Sequence, residues 1–204
     1  MSYAASNGVS AAKSPQVLGS NVYLPSDQEL VLMTNQSCGS DCGYVRAGTP
    51  AYEGFSTASS TVFLLEFMMP RDDGSGFNVD MGAIWLLNAQ IPRTLQYGNA
   101  ACSCWTSGCG EFDLFEILST GSNFLTSTVH TWQGTGNQFG GGGCSDYIER
   151  PLSSYMQAAV ILDTSTSTLN IVVLPESIGT FGEGLTDAQI QGWLGIAGST
   201  VNIP

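Results

Sequence analysis

Apolar residues recur along the chain in short runs whose alternation predicts β-strands. The clearest run is Thr61–Met69, in which Phe63, Leu65 and Phe67 alternate with other largely apolar residues. Such a run is typical of a strand that is buried on both faces. Shorter runs bounded by Gly, Asp and Ser predict further strands at Glu29–Thr34, Val79–Leu87, Gly110–Leu118, Phe124–Trp132, Gln157–Leu162 and Thr168–Leu174. The last two runs predict a hairpin.

One helix is predicted near the C-terminal end, over Thr186–Leu194, with Thr186 as its N-cap and with Ile190, Trp193 and Leu194 facing inward. Residues 1–27 are polar and weakly patterned, which predicts an extended lead-in, and residues 28–204 then form a single domain. Several short strands joined by Gly-rich turns predict an all-β fold, a jelly-roll sandwich of two antiparallel sheets.

Composition and charge narrow the classes of partner. Five Lys and Arg against seventeen Asp and Glu give the 204 residues a net charge of −12. Phosphate backbones are bound by Lys and Arg that neutralise them, so no nucleic-acid partner is expected. A neutral polysaccharide is not repelled by such a surface. The sequence shows no signal peptide, no transmembrane stretch and no lipid anchor, and we expect no membrane contact by this domain. A monomer is expected.

Three carboxylates fall within six positions of an otherwise apolar run, Glu111-Phe-Asp113-Leu-Phe-Glu116. On a strand Glu111 and Asp113 share one face, and strict alternation would place Glu116 on the other face, in the core. An unpaired buried carboxylate is costly. A bulge of one residue near Leu114–Phe115 would return Glu116 to the face of the other two acids. The alternative is a strand with a solvated acidic face.

With such a bulge, the α-carbons of Glu111 and Glu116 would lie roughly 13 Å apart at the usual strand rise. Their side chains could then approach to about 5–6 Å, the separation typical of retaining glycoside hydrolysis, although the wider inverting geometry stays open. Asp113 would add a charge or a shared proton that helps to keep one Glu protonated.

The surrounding segments strengthen this interpretation. They are Cys38–Tyr44, Asp80–Asn88, Leu87–Gly98, Cys102–Gly110, Glu111–Glu116, Ser127–Trp132 and Ser145–Tyr147. In this order they resemble the fungal cell-wall glycosidase family related to glycoside hydrolase family 16, whose members are β-jelly-roll endo-glucanases with a concanavalin-like fold and a concave cleft. The Cys-rich insert before the acidic strand departs from ordinary family 16 enzymes.

The resemblance implies a role for each acid. Glu111 would be the nucleophile that forms a covalent glycosyl-enzyme, Glu116 the general acid and base, and Asp113 the group that tunes their protonation. The implied activity is that of a retaining endo-β-1,3-glucanase acting on fungal cell-wall β-glucan. The alternatives are a β-glucan transglycosylase that uses the same residues, and a non-catalytic wall protein that binds glucan. No cofactor and no metal site are implied.

Candidate substrate-binding residues flank the acidic strand. His130, the only histidine, could hydrogen-bond a carboxylate or a sugar hydroxyl, and it could also be purely structural. Aromatic platforms for sugar rings are predicted at Trp85, Trp105 and Trp132, and core packing is an equal alternative for Trp85. Donors to sugar hydroxyls are predicted at Asn88, Arg93 and Gln96, where a loop-holding ion pair is the alternative for Arg93.

Six cysteines, Cys38, Cys42, Cys102, Cys104, Cys109 and Cys144, indicate an oxidising compartment. The resemblance implies a protein that is secreted or attached to the cell wall. Sequence alone cannot choose among their fifteen pairings. We favour Cys38–Cys42, with the other bridges linking the 102–109 insert to itself and to Cys144. Zinc is the weaker alternative, because the spacing lacks paired Cys-x-x-Cys units and there is one His.

Overall fold

Two antiparallel sheets packed face to face organise the chain. The structure, a computed structural model, describes residues 3–14, 16–49, 51–55, 60–91, 102–103, 107, 109–131, 147–182, 184–198 and 200. The strands are β1 Tyr3–Ala4, β2 Ala11–Ala12, β3 Ser60–Phe67, β4 Ala83–Leu87, β5 Glu111–Glu116, β6 Phe124–His130, β7 Ile148–Glu149, β8 Met156–Asp163 and β9 Thr168–Val173. One of the two sheets has the strand order β3-β8-β9 and the other β4-β5-β6-β7. A 3₁₀ turn spans Ser40–Cys42, and helix α1 spans Asp187–Leu194. The predicted all-β sandwich is confirmed.

The main core fills the space between the two sheets. From the four-stranded sheet it takes Leu114, Phe115, Ile117 and Leu125, and from the three-stranded sheet Ala158 and Val160, all at most 1% exposed. The predicted alternation of β3 is confirmed, since Phe63, Leu65 and Phe67 pack against this core. The four-stranded sheet therefore buries one face and leaves its other face for a different use.

A second core lies on the opposite face of the three-stranded sheet, where α1 packs through Trp193. The helix begins with the predicted cap: Thr186 accepts a hydrogen bond from the Gln189 backbone N–H, and the Gln189 side chain accepts one from the Thr186 N–H. The inward positions predicted for the helix are confirmed, because Ile190 and Leu194 pack with Trp193. Among the described residues, no helix has the length and apolar character needed to cross a membrane.

Two strand predictions need correction. The predicted strand Glu29–Thr34 is wrong, because these residues form no regular element and Leu32 is 75% exposed. An apolar run becomes a strand only where a partner edge is available, and here the pairing starts later, with a single bridge between Ser37 and Tyr52. The strand predicted from Val79 begins only at Ala83, since Asn78 and Asp80 have left-handed backbones with φ of 53° and 59°.

The predicted lead-in carries more structure than expected. β1 and β2 pair as a small antiparallel hairpin. At the far end of the lead-in, the Ser26 hydroxyl accepts a hydrogen bond from the Asp80 backbone N–H at 2.9 Å. The division of the chain into residues 1–27 and 28–204 stays a prediction.

A buried ion pair joins the loops at one end of the sandwich. Arg150 and Asp80, 4% and 5% exposed, form two guanidinium–carboxylate hydrogen bonds. Arg150 also donates to the carbonyls of Met69, Pro70 and Ser122 at 2.7, 2.6 and 3.2 Å. The partly exposed Arg71 makes a second ion pair with Asp80 at 3.1 Å. Arg150 thereby pairs its buried donors and joins the segments after β3, before β4 and between β5 and β6.

Removing this guanidinium should destabilise the fold strongly. Arg150→Met leaves Asp80, whose pKa the Arg150 hydrogen bonds hold far below its ordinary value, as a buried anion with only Arg71 to pair it. Breaking a buried ion pair typically costs about 3–5 kcal/mol, so we expect a loss of that order in the free energy of unfolding at pH 7, measured by urea denaturation. The exposed Arg46, whose Nε donates to the Thr49 hydroxyl at 3.0 Å, offers a control in Arg46→Met, with an expected change below about 0.5 kcal/mol. Equal losses in the two variants would refute the assignment.

Candidate active site

The outer face of the four-stranded sheet carries the acidic residues of β5. Residues paired across antiparallel strands point to the same face, so the register identifies their neighbours. Glu111 pairs with Leu87 and His130, Asp113 with Trp85 and Thr128, and Glu116 with Ala83 and Thr126. The three carboxylates therefore share a face with Trp85 and His130, on the side of the sheet that does not form the main core.

A bulge in β5 produces this arrangement, as predicted. Between Asp113 and Glu116, β5 advances by three residues while its partner β6 advances by only two. The pairing of β5 with β4 shifts at the same place. Both Leu114 and Phe115 point into the core, at 1% and 0% exposed. The Ser127 hydroxyl donates to the Leu114 carbonyl at 2.6 Å, which satisfies a buried acceptor within the bulge. Glu116 is thereby returned to the face of Glu111.

Asp113 and His130 form the best-defined polar contact on this face. His130 Nε2 lies 2.9 Å from Asp113 Oδ2, and the side chain of Asp113 is 8% exposed. The contact runs diagonally across the β5–β6 pair, since the direct partner of Asp113 is Thr128. Thr126 and Thr128 lie on the same face and are buried, and the alternation Thr-x-Thr-x-His in the sequence is the signal that could have identified them.

Burial raises the pKa of Asp113 to about 6, and the negative charges of Glu116 and Glu111 add to that effect. His130 acts in the opposite direction, through its charge and its hydrogen bond. Asp113 is therefore the acid whose charged form is opposed most clearly on this face. A proton is readily shared within such a carboxylate cluster.

Burial also raises the pKa of Glu116 above its ordinary value. His130 offsets part of this rise, and the negative charge of Glu111 contributes to it. A carboxyl group that keeps its proton toward neutral pH can act as a general acid. The pattern of one acid with a raised pKa beside other carboxylates is common at catalytic sites.

The remaining predicted residues differ in placement. Trp85 lies on the acidic face beside Asp113 and is half-buried, and its predicted sugar contact stays a prediction. Asn88 instead uses its side chain within the protein, donating to the Cys109 carbonyl at 2.7 Å and accepting from the Gln90 N–H at 2.9 Å. Its predicted sugar contact stays a prediction. The other predicted positions lie outside the described residues: Trp105, Trp132, Arg93 and Gln96.

Two disulfides are present among the described cysteines. Cys38–Cys42 is bonded as predicted, and Cys102–Cys109 is the predicted bridge within the insert. The carbonyl of Cys109 accepts a hydrogen bond from the Asn88 side chain, and this bond holds the chain just before β5 against the end of β4. Cys104 and Cys144 lie outside the described residues, and the predicted link to Cys144 stays a prediction.

The same face brings three potential metal-ligating side chains together. Ligand atoms of Glu111, Asp113 and His130 lie within 4.8 Å of one another, close enough to surround a cation. The 2.9 Å contact between His130 and Asp113 already accounts for the approach of two of these three side chains. The other such group, Cys38, Cys42 and Glu53, contains the Cys38–Cys42 disulfide and so offers no thiolates.

The raised pKa of Asp113 generates a stability prediction. A carboxyl whose pKa rises from 3.8 to about 6 on folding stabilises the fold fully below pH 3.8, and this contribution, on the order of 3 kcal/mol, is lost as the pH rises through 6. Asp113→Asn removes the charge and keeps an acceptor for His130. We therefore expect the variant to be more stable than the parent at pH 8, with the gap closing toward pH 4, in urea denaturation at both pH values.

The exposed Asp73 provides the control, because Asp73→Asn should leave the unfolding midpoint unchanged at both pH values. If the Asp113→Asn protein were less stable than its parent at pH 8, the conclusion that burial disfavours the charged form of Asp113 would be contradicted.

Known proteins with similar sequences place the chain in a family. The family described as "Cell wall protein YJL171C/Tos1, C-terminal" matches residues 1–193. A probable circularly permuted 1,3-β-glucanase of Schizosaccharomyces pombe is 52% identical over 195 residues, which are 95% of this chain and 38% of that protein. No solved structure matches the chain.

Two further relatives carry the same description. TOS1 of Saccharomyces cerevisiae is 48% identical over 208 residues, covering 100% of this chain and 43% of that protein. PGA52 of Candida albicans is 40% identical over 211 residues, covering 98% and 54%. The chain thus spans 38% to 54% of the length of these three relatives.

These matches confirm the predicted fungal cell-wall family and the cell-wall location, while the relation to glycoside hydrolase family 16 stays a prediction. With 193 of 204 residues matched, the chain belongs to the Tos1 C-terminal family of fungal cell wall proteins.

Proposed function

We propose that this chain carries the catalytic carboxylates of a retaining endo-β-1,3-glucanase that acts on fungal cell-wall β-glucan. The relatives named as probable 1,3-β-glucanases support the substrate class. The observation that carries the proposal is the β5 bulge, which sets Glu111, Asp113 and Glu116 on one face of the sheet.

The proposed chemistry proceeds in two steps. A carboxylate oxygen of Glu111 attacks the anomeric carbon, the bond from that carbon to the departing sugar oxygen breaks, and Glu116 gives its proton to that oxygen. Glu116, now a carboxylate, takes a proton from water, whose oxygen attacks the anomeric carbon and releases Glu111. Two inversions retain the configuration, as in other glycosidases with two carboxylates.

Asp113 and His130 support this exchange of a proton. Asp113 lies between the two Glu residues along β5, and burial together with the negative charges of Glu116 and Glu111 raises its pKa, so it can hold a proton between them. The 2.9 Å contact with His130 holds the Asp113 carboxylate in one orientation. Trp85, next to Asp113 on β4, offers an apolar surface for the C–H face of a sugar ring. The same proposal includes a concave cleft over this face.

Removing either glutamate acid should abolish turnover. We expect Glu111→Gln and Glu116→Gln to lower kcat on β-1,3-glucan by at least about 10²–10⁴-fold, because each removes a group that reacts in the transition state. Asp113→Asn should lose less activity. Reducing ends released from β-1,3-, mixed-linkage and β-1,6-glucans would be measured, and the first anomer formed would be identified by NMR.

The exposed Glu176, in the segment after β9, provides a matched control in Glu176→Gln, which should retain full activity. Wild-type rates in either Glu111→Gln or Glu116→Gln would remove the catalytic assignment. An inverted first product would leave the residues in place and refute the covalent intermediate. Products longer than the substrate would show transfer to a sugar acceptor.

The pH profile should respond to His130. As general acid Glu116 must be protonated, so activity falls when the pH rises past its pKa. His130 lowers the pKa of both Glu116 and Asp113, and its removal should raise both. His130→Gln is therefore expected to shift the alkaline limb of the kcat profile to higher pH, measured from pH 4 to 9. An unchanged limb, or a shift to lower pH, would contradict this role.

A further inference from the structure

An exposed aromatic pair lies beside the candidate active site. The rings of Phe124 and Tyr147 meet edge to face, with centroids 5.9 Å apart and planes inclined by 69°. The two residues remain 50% and 76% exposed. Paired aromatic side chains that stay this open to solvent are typical of binding surfaces, since burial of either ring would be favourable.

The strand register places this aromatic pair on the acidic face. Phe124 lies two residues before Thr126 on β6, so both side chains point to the side of Glu116, the partner of Thr126. Phe124 pairs with Glu149 and Leu125 with Ile148, and one further step of this register sets Tyr147 opposite Thr126.

Glu116, Thr126 and Tyr147 therefore form a row across three neighbouring strands. At the usual strand spacing the α-carbons of Glu116 and Tyr147 are separated by about 10 Å. This distance is comparable with the span of a disaccharide. Thr126, the residue between them on β6, is buried at 6% exposed and has a short side chain, so β6 places no large side chain between the acid and the ring.

Hydrogen bonds hold the backbone around Phe124 and at Arg150, three residues after Tyr147. Arg150, which follows Glu149, donates its N–H to the Asn123 carbonyl at 2.9 Å and its guanidinium to the Ser122 carbonyl at 3.2 Å. The Ser122 hydroxyl bonds both the N–H and the carbonyl of Phe124. A surface held in this way loses little conformational entropy when a ligand binds, which favours affinity.

Polar groups suited to hydroxyls adjoin the rings. A cavity of about 510 Å³ is lined by Asn123, Phe124, Glu149, Arg150 and Leu152. The exposed Glu149 carboxylate can accept hydrogen bonds from sugar hydroxyls. The negative charge of this face disfavours an anionic ligand and leaves a neutral one unaffected.

From these observations we infer that Phe124 and Tyr147 form a sugar-binding subsite, on the Glu116 side of the cleavage point, for a β-1,3-glucan chain that crosses the strands. The identity of the ligand as a β-1,3-glucan rests on the proposed function. The rings would pack on the C–H faces of a pyranose, while Glu149 receives its hydroxyls. The subsite would be filled by long substrates and left empty by short ones.

Binding and turnover together test this subsite. β-1,3-linked gluco-oligosaccharides of increasing length would be titrated by calorimetry into Glu116→Gln protein, alone and combined with Phe124→Ala or Tyr147→Ala. We expect each alanine to weaken binding of the long oligosaccharides about tenfold, as the loss of one apolar contact surface implies, and to leave the shortest ones unaffected. In the active protein the same changes should raise KM for long chains with little change in kcat.

Two control variants separate the loss of a ring–sugar contact from a loss of folding. Tyr147→Phe keeps the ring and should bind like the parent. Tyr155→Ala removes a tyrosine that is 58% exposed and lies directly before β8 in the three-stranded sheet. This variant should also bind like the parent. Circular dichroism would establish that each variant is folded.

The outcomes distinguish the two proposals. Wild-type turnover and wild-type binding in both alanine variants would overturn the subsite and leave the glucanase standing. Weakened binding without any turnover in the parent protein would support the subsite and overturn the glucanase. No binding of any β-1,3-oligosaccharide by the protein would overturn the subsite.

Discussion

The extra residue in β5 resolves a conflict between burial and charge. A regular strand with this sequence would either bury a carboxylate or leave the side chain of Leu114 or Phe115 in water. By turning both apolar residues into the core, the bulge keeps the hydrophobic contribution of each and frees Glu116 for the opposite face. Its local cost is reduced because Ser127 bonds the Leu114 carbonyl. The position of Glu116 relative to Glu111 and Asp113 depends on this one irregularity.

Burial and like charges together give the acidic face its chemical character. Burial raises the pKa of both Asp113 and Glu116, and the negative charge of Glu111 adds to the rise in each of them. His130, on the adjacent strand, offsets part of the rise in both. The sheet thus holds two carboxyl groups with raised pKa values on one face, a pattern that suits acid–base chemistry.

The rest of the molecule supports this face from behind and from one end. The three-stranded sheet and α1 bury apolar side chains on successive layers, so the acidic face does not have to contribute to the core. At the end near Glu116, the Asp80–Arg150 pair joins the segment before β4, the turn before β6 and the segment after β7. That same junction holds the Phe124–Tyr147 pair in place, so structural stability and the proposed sugar surface share one set of contacts.

Much of the architecture follows from local patterns. The alternation of β3, the hairpin of β8 and β9, the capped helix α1, the Cys38–Cys42 bridge and the need for a bulge in β5 could all be predicted, because each depends on side chains close in sequence. The acidic motif likewise identified the candidate site. Glu29–Thr34 could not be predicted correctly, since an apolar run pairs only where another strand presents an edge. The diagonal contact of His130 with Asp113, the use of Asn88 within a loop junction, and the meeting of Phe124 with Tyr147 depend on strand register and order. The sequence by itself determined which groups can react, and only the tertiary structure decided which of them meet, because register is set by the packing of whole sheets.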